Sequence, residues 1–504
     1  MPATTAPATS VTSPISHVTY AVPDRVDDAA KIEAFLASNA DRPVVVVQGL
    51  GFVGAVMSLV CANAVDGNYA VIGVDLPRGQ GLWKINDING GTFPVIASDP
   101  KIEQFYQRAR AQGNLLATGD PLAYAKADVI VVDINLDVAK QSGEGGELNG
   151  FDVDLSAFEG AIRSIGRHCR PDCLVLIETT VPPGTSREVA LPILRECLRE
   201  RGLPTARLAL GHSYERVMPG PNYIDSIQNF YRVYSGVDDA SADRTEAFLR
   251  TIIRTDEYPL TRLGSTNATE MAKVLENSYR AMNIAFSVEW SRFAEEAGVN
   301  FYEVVNAIRL RPTHANLMYP GIGVGGYCLT KDPLLASWSR TQLLGGRAEL
   351  GQSEQAVRIN DRMPRYAYER LREVLGRPLD GSRMLFLGVS YRSDVGDTRY
   401  SPVELFYRLC VGAGAIATLV DPYVDYWEEI GRDVETDLSA VPSSGYDVIV
   451  ITTAHREFDG DYLARFVDAG EVALVYDTVG RLSDSDLERL AHRTHVSVLG
   501  RGDL

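Results

Sequence analysis

Long hydrophobic runs are missing: no window approaches the ~20 uninterrupted apolar residues that cross a bilayer, so the sequence offers no membrane span. A basic excess is missing too. With 49 Lys and Arg against 66 Asp and Glu, the formal charge is −17, which disfavours nucleic acid and anionic lipid as partners. Any anionic substrate must then be met by a few placed Arg, Lys and helix N-termini. The six cysteines (Cys61, Cys169, Cys173, Cys197, Cys328 and Cys410) lack the spacing of a disulfide framework or a zinc site. Cys169 and Cys173 are four apart, but nothing nearby completes a metal centre. Reduced thiols in a cytosolic protein without a metal are expected. The opening MPATTAPATSVTSPISHVTYAVPD has neither the basic start nor the apolar centre of an export signal, and residues 1–40 read as a flexible tail.

What is present is an alternation of strand and helix over 504 residues, enough for two to four domains. Residues 43–48 (PVVVVQ), 70–74, 129–133, 174–177 and 208–211 are strand candidates. Helix-length segments such as 55–64, 100–111 and 155–167 separate them, the pattern of a doubly wound parallel sheet. At Ser265 the period changes, and STNATEMAKVLENSYRAMNIAFSVEWSRFAEEAGV predicts one long helix with Asn267 as N-cap, Glu270 three residues on and Gly298 at its end. Apolar residues on more than one face predict burial between domains or against a second subunit. After Gly381, apolar runs at 384–387, 416–420, 448–452 and 472–476 predict a second, smaller α/β domain. The expected fold class is α/β, two Rossmann-like doubly wound domains joined by a long central helix.

Gly49-Leu50-Gly51-Phe52-Val53-Gly54 stands between a predicted strand and a predicted helix, the context that makes G-x-G-x-x-G a dinucleotide fingerprint. Its glycines permit a tight turn and close approach of backbone N–H groups to a pyrophosphate, and the helix N-terminus favours negative charge. Asp75, at the end of the next strand, is placed for both ribose hydroxyls and favours NAD over NADP; Arg78 argues the other way. On the long helix Lys273 and Asn277, four apart, share a face. ETTVPPGT (178–185) and GHSYERVMPG (211–220) each follow a strand end, where open α/β sheets hold ligands. GIGVGGYCLTKDP (321–333) sets Cys328 behind a glycine run and ahead of Asp332. Alone, such a thiol reads as an inert buried residue.

Together these segments resemble the UDP-glucose/GDP-mannose dehydrogenase family, the nucleotide-sugar 6-dehydrogenases, over residues 43–481. GLGFVG, ETTVPPGT, SYERVMPG, the Lys-x-x-x-Asn of KVLEN, GGYCLTKDP and SYRSDVGDTRYSP occur in the family's order. The resemblance implies an NAD-dependent, four-electron oxidation of the C6 hydroxyl of a UDP-sugar to the uronic acid, through a cysteine thiohemiacetal and thioester. It implies Cys328 as nucleophile, Lys273 and Asn277 as oxyanion donors, Asp332 acting with Lys273 on a water, Glu215 in thioester hydrolysis and Thr180 holding water. It places NAD on Gly49, Gly51, Phe52, Val53, Gly54, Asp75 and Arg399, and substrate on Arg216, Tyr327, Gly325, Gly326 and Arg392, with Arg481 a looser match. It implies an NAD-binding Rossmann-like domain over 41–262, a central helical dimerisation domain carrying the cysteine over 263–375, and a UDP-sugar-binding Rossmann-like domain over 376–504. A cytoplasmic homodimer or larger assembly completes the expectation.

Some positions depart from the family pattern. Ile134-Asn135-Leu136-Asp137 replaces Val-Pro-Thr-Pro at a cofactor contact, and Tyr214 replaces a proline, loosening that turn. Glu289 stands where UDP-glucose members carry an arginine donated by the neighbouring subunit. NIAF with a following acid, ETTVPPGT and YERVMPG resemble the UDP-N-acetylhexosamine branch, while C-x-x-K-D resembles UDP-glucose and GDP-mannose members; the balance falls slightly on an N-acetylhexosamine. Two other readings stay open: a two-electron β-hydroxyacid-type dehydrogenase, which needs neither Cys328 nor the C-terminal domain, and a non-catalytic NAD- and nucleotide-sugar-binding protein.

Overall fold

The computed structural model describes residues 9–95, 97–143, 148–217 and 220–504. They form two compact units: the described residues within 9–137, 154–274 and 339–347, and those within 138–153, 275–338 and 348–504.

The first unit is built on an eight-stranded sheet in the order Thr261–Arg262, Val233–Gly236, Ala209–His212, Leu174–Ile177, Val129–Val132, Val44–Gln48, Ala70–Val74, Leu115–Thr118. All neighbours are parallel except Ala209–His212 with Val233–Gly236. Valines 45 to 47 are completely buried because helices cover both faces, which is why the strand reads as an unbroken apolar run. The chain winds outward in both directions from Val44–Gln48 and Val129–Val132, so the order reverses between those two strands. Ligands bind at the carboxyl ends of strands at such a switch point.

The second unit carries a five-stranded parallel sheet in the order Ile416–Val420, Arg383–Leu387, Val448–Ile451, Leu474–Asp477, His495–Val498. Side chains of strand Arg383–Leu387 alternate: Met384 and Phe386 join a core with Met363, Phe406 and Trp427, while Leu385 and Leu387 join Phe458 and Phe466 on the opposite face. Here the switch point lies after Leu387, where Gly388–Ser401 leaves the sheet.

The long helix spans Thr266–Glu296, and Gly298 follows it in the left-handed region. Its cap differs from expectation. Ser265, not Asn267, accepts the Ala268 N–H, at 3.3 Å, and Glu270 turns inward to accept the N–H groups of Gly184 at 2.6 Å and Ser186 at 2.8 Å. The N-terminal segment also differs. From residue 9 it is no loose tail: Ser10–Thr12 and Thr19–Ala21 form an antiparallel hairpin, and Ala29–Ser38 is a helix. Among the described residues no helix is long and apolar enough to cross a membrane.

Candidate active site

In the first unit the fingerprint occupies the switch point. Gly49 has φ of +95°, and a Cβ there would collide with the Asp133 carbonyl; a Cβ on Gly54 would strike the Gly49 carbonyl. These two glycines serve the turn, whereas Gly51, which caps helix Phe52–Ala62 without a side-chain cap bond, has open space around it. The open helix end suits a pyrophosphate. A cavity of about 1020 Å³ extends from it, lined by Gly49, Gly51, Asp75, Arg78, Tyr124 and Asn135 among others. Phe52, Val53 and Gly54 are not among its lining residues. Asp75 is fixed by N–H donors from Leu50 at 2.9 Å and Leu76 at 2.7 Å, which leaves carboxylate lone pairs for ribose hydroxyls. Ile134 and Asn135 of the departing INLD segment also line the cavity, and the Ile134 N–H donates to Thr179 Oγ1 at 2.8 Å.

The same unit brings Lys273 to Glu215. The ammonium donates to the Glu215 carbonyl at 2.8 Å, lies 3.9 Å from its carboxylate, and sits 5.4 Å from the centre of the Tyr214 ring. Lys273 is buried, so it is not a solvated helix-surface group. Tyr214 is buried as well and also stacks under Arg216 at 5.5 Å; the residue that replaces proline therefore organises two cations instead of slackening the turn. Glu215 accepts the Val217 N–H. Thr180 is half-buried just beyond strand Leu174–Ile177. Met218 and Pro219 of the same motif lie outside the described residues.

The same unit holds a buried ionic cluster, of which the quoted motifs supply only Glu178, the first residue of ETTVPPGT. Arg232 pairs with Glu178, and Asp133 is buried close enough to feel the charges of Glu178 and Arg232. Burial pushes Glu178 up to about 7 and raises Asp133 well above the usual carboxylate range, with the charges of Glu178 and Glu215 adding to the rise. Burial also drives His212 down to about 3, so it is a neutral imidazole bonded to Thr269 at 2.8 Å and no general base.

In the second unit Cys328 is the second residue of helix Tyr327–Trp338, exposed, while the other five cysteines are buried. Burial raises the thiols of Cys61 and Cys410 and makes them inert. A helix N-terminus beneath Cys328 instead favours negative charge. Asp332, one turn on, is 1% exposed and accepts from Asn277 at 2.6 Å and Lys331 at 2.9 Å. Gly326 has φ of +74°, and a Cβ on Gly325 or Gly326 would run into Tyr391, so these two glycines make room for an aromatic ring of the switch-point loop. Burial pushes the Tyr391 phenol up to about 12. Arg399 grips Asp397 at 2.8 and 2.6 Å and lies 5.0 Å from the centre of the Tyr327 ring, while Tyr327 meets Tyr400 edge-on at 4.9 Å. Arg392 is exposed on the same loop. Arg481 instead clamps the carbonyls of His455 at 2.9 Å and Arg456 at 2.8 Å. Asp394, His455 and Glu457 come close enough for a metal, yet both His455 nitrogens are engaged, Nδ1 by the Asp394 N–H at 2.9 Å and Nε2 by Asp421 at 3.1 Å.

A fingerprint cavity at one switch point and a second doubly wound sheet define a dinucleotide-dependent oxidoreductase with a further nucleotide-binding-type domain. The chain belongs to the UDP-glucose/GDP-mannose dehydrogenase family: the NAD binding domain matches residues 44–253, the central domain 267–362 and the UDP binding domain 385–484. It is an NAD-dependent nucleotide-sugar dehydrogenase with a UDP-sugar substrate. The UDP-N-acetyl-D-mannosamine dehydrogenase of Pyrococcus horikoshii is 32% identical over 422 residues, 82% of this chain and 90% of that one. The NDP-N-acetyl-D-galactosaminuronic acid dehydrogenase of Ralstonia nicotianae is 26% identical over 84% of this chain and 93% of its own. Among solved structures, the UDP-D-ManNAc dehydrogenase of Pyrococcus horikoshii superposes with a TM-score of 0.74 at 28% identity, covering 92% of this chain and 100% of that one. The NDP-N-acetyl-D-galactosaminuronic acid dehydrogenase from Methanosarcina mazei Go1 gives 0.74 at 26% identity, with 94% and 98% covered.

Proposed function

We propose that the chain oxidises C6 of a UDP-N-acetylhexosamine to the uronic acid, with Cys328 as the nucleophile of the second oxidation. The observation that supports the chemistry best is Cys328 itself, the exposed thiol of the six and the one at a helix N-terminus. The names of the relatives support the N-acetylated sugar. A two-electron hydroxyacid reading leaves the UDP binding domain without a purpose.

NAD⁺, when bound, accepts one hydride in each oxidation. The sugar C6 hydroxyl loses a hydride and a proton to become an aldehyde. Cys328 Sγ then bonds to that carbon, giving a tetrahedral thiohemiacetal that can lose a second hydride and a proton. Lys273 and Asn277 are proposed to donate to the C6 oxygen as charge develops on it, and Asp332 to take part in moving its proton. Water then adds to the thioester carbon and the C–S bond breaks, with Glu215 and Thr180 proposed to orient that water. Arg216, Tyr327, Gly325, Gly326 and Arg392 are proposed substrate contacts; Arg399 is a proposed cofactor contact.

A homodimer or larger homo-oligomer in the cytoplasm is part of the proposal. On helix Thr266–Glu296, Leu275, Tyr279, Phe286, Trp290 and Phe293 recur at helical spacing and are about half exposed or more, an apolar stripe that a second copy of the chain would cover. Supplying purified protein with NAD⁺ and a panel of UDP-sugars, with NADH followed by absorbance, tests the reading: two NADH per N-acetylhexosamine are expected, and turnover of UDP-glucose alone would sink it.

A further inference from the structure

The cavity at the Gly49 turn has one wall that the family's NAD binding domain does not supply. That domain matches from residue 44, yet Val11 and Val22 line the cavity beside Asp75, Leu76 and Arg78. Val11 lies in the first strand of the N-terminal hairpin, and Val22 extends the second by donating its N–H to Thr9 at 2.9 Å.

The hairpin is built onto the domain. Asp87, 1% exposed on helix Gly79–Gly90, accepts from Ser13 Oγ at 2.5 Å, Ser16 Oγ at 2.7 Å and the Tyr20 hydroxyl at 2.7 Å. Ser13 is fully buried and accepts the N–H groups of Ile15 at 3.1 Å and Ser16 at 3.0 Å, which shapes the connection between the two strands. Three hydroxyls from one short segment thus satisfy a single buried carboxylate, and bonds to a charged acceptor are the strong ones. The latch holds Val11 and Val22 at the cavity wall.

What that wall touches follows from the fingerprint. With the pyrophosphate at the Gly51 helix end and the ribose at Asp75, the adenine lies beyond Asp75, along the residues that follow it. A flat, largely apolar base is held by apolar side chains on its faces. We propose that the N-terminal hairpin forms the adenine-binding wall of the cofactor cavity, so that residues 9–22 set the affinity for the adenosine half of NAD. This inference rests on the cofactor reading of the cavity.

The test uses the full chain with two variants, V11S/V22S, which removes the apolar wall and keeps the latch, and D87A, which releases the latch. Dissociation constants are measured for NADH, for ADP-ribose and for reduced nicotinamide mononucleotide, with circular dichroism to verify folding. Both variants are expected to bind NADH and ADP-ribose about tenfold more weakly and the mononucleotide within about twofold of the parent, since only the first two carry adenine. Unchanged NADH and ADP-ribose binding by folded V11S/V22S overturns the proposal and leaves the cofactor reading standing. Equal weakening of all three ligands also overturns it, because the loss is then not in the adenine subsite. Failure of the parent chain to bind NADH or ADP-ribose overturns the cofactor reading of the cavity and the hairpin's part with it.

Discussion

Asn277 Nδ2 donates to Asp332 Oδ2 at 2.6 Å while Lys331 Nζ holds the other carboxylate oxygen at 2.9 Å. The carboxylate is therefore aimed by two elements, the long helix and the helix that carries Cys328. Asp332→Asn keeps the shape and removes the charge; kcat is expected to fall about 100-fold, read from NADH formation at saturating substrate. Undiminished turnover would take Asp332 out of proton handling.

Cys328→Ser replaces the thiol with a group too weakly nucleophilic to sustain the second oxidation. Formation of uronic acid is expected to fall at least ~1000-fold, with the parent protein producing two NADH per sugar. Product analysis by mass spectrometry checks both statements, and a variant that still forms the acid at the parent rate would remove the thioester step.

The exposed stripe on Thr266–Glu296 predicts self-association. Phe286 and Trp290 touch at 5.9 Å between ring centres, and Trp290 and Phe293 at 6.0 Å, a continuous aromatic surface. Phe286→Glu introduces a charge that the interface would have to bury. Light scattering is expected to find a particle of two or more chains for the parent and a monomer for the variant at micromolar concentration.

The stability contributed by two buried glutamates is expected to fall between pH 4.5 and about 7 and then level off. Burial pushes both Glu178 and Glu270 up to about 7 from the ordinary 4.5, so at these two sites the folded protein binds more protons than the unfolded chain throughout that window. Their contribution is complete below the unfolded value and is lost as pH rises through the folded one. Arg232 and Asp133 face Glu178, and the N–H groups of Gly184 and Ser186 face Glu270. Denaturant titrations at several pH values read this slope; Glu178→Gln should flatten it, and an unchanged slope in that variant would assign it elsewhere.

Much of the fold was legible because its signals are local. The strand at Val44–Gln48 is four valines and a glutamine, the glycine turn follows it, and Asp75 arrives after one more helix and strand. The motif order likewise announced the family. The role of Tyr214 was harder to see. A tyrosine in place of proline looks like slack until the fold lays its ring beside Lys273.

The sequence by itself determined the two doubly wound domains, the long helix, the cofactor class and the residues worth testing, since each follows from spacing along a single segment. Only the tertiary structure decided what the N-terminal segment does and where the buried charges lie. Asp87 is 74 residues from Ser13, and Glu178 is 54 from Arg232. No periodicity links such pairs; they meet because the sheet and its helices bring distant polar groups out of water together, where leaving a buried charge unpaired is costly.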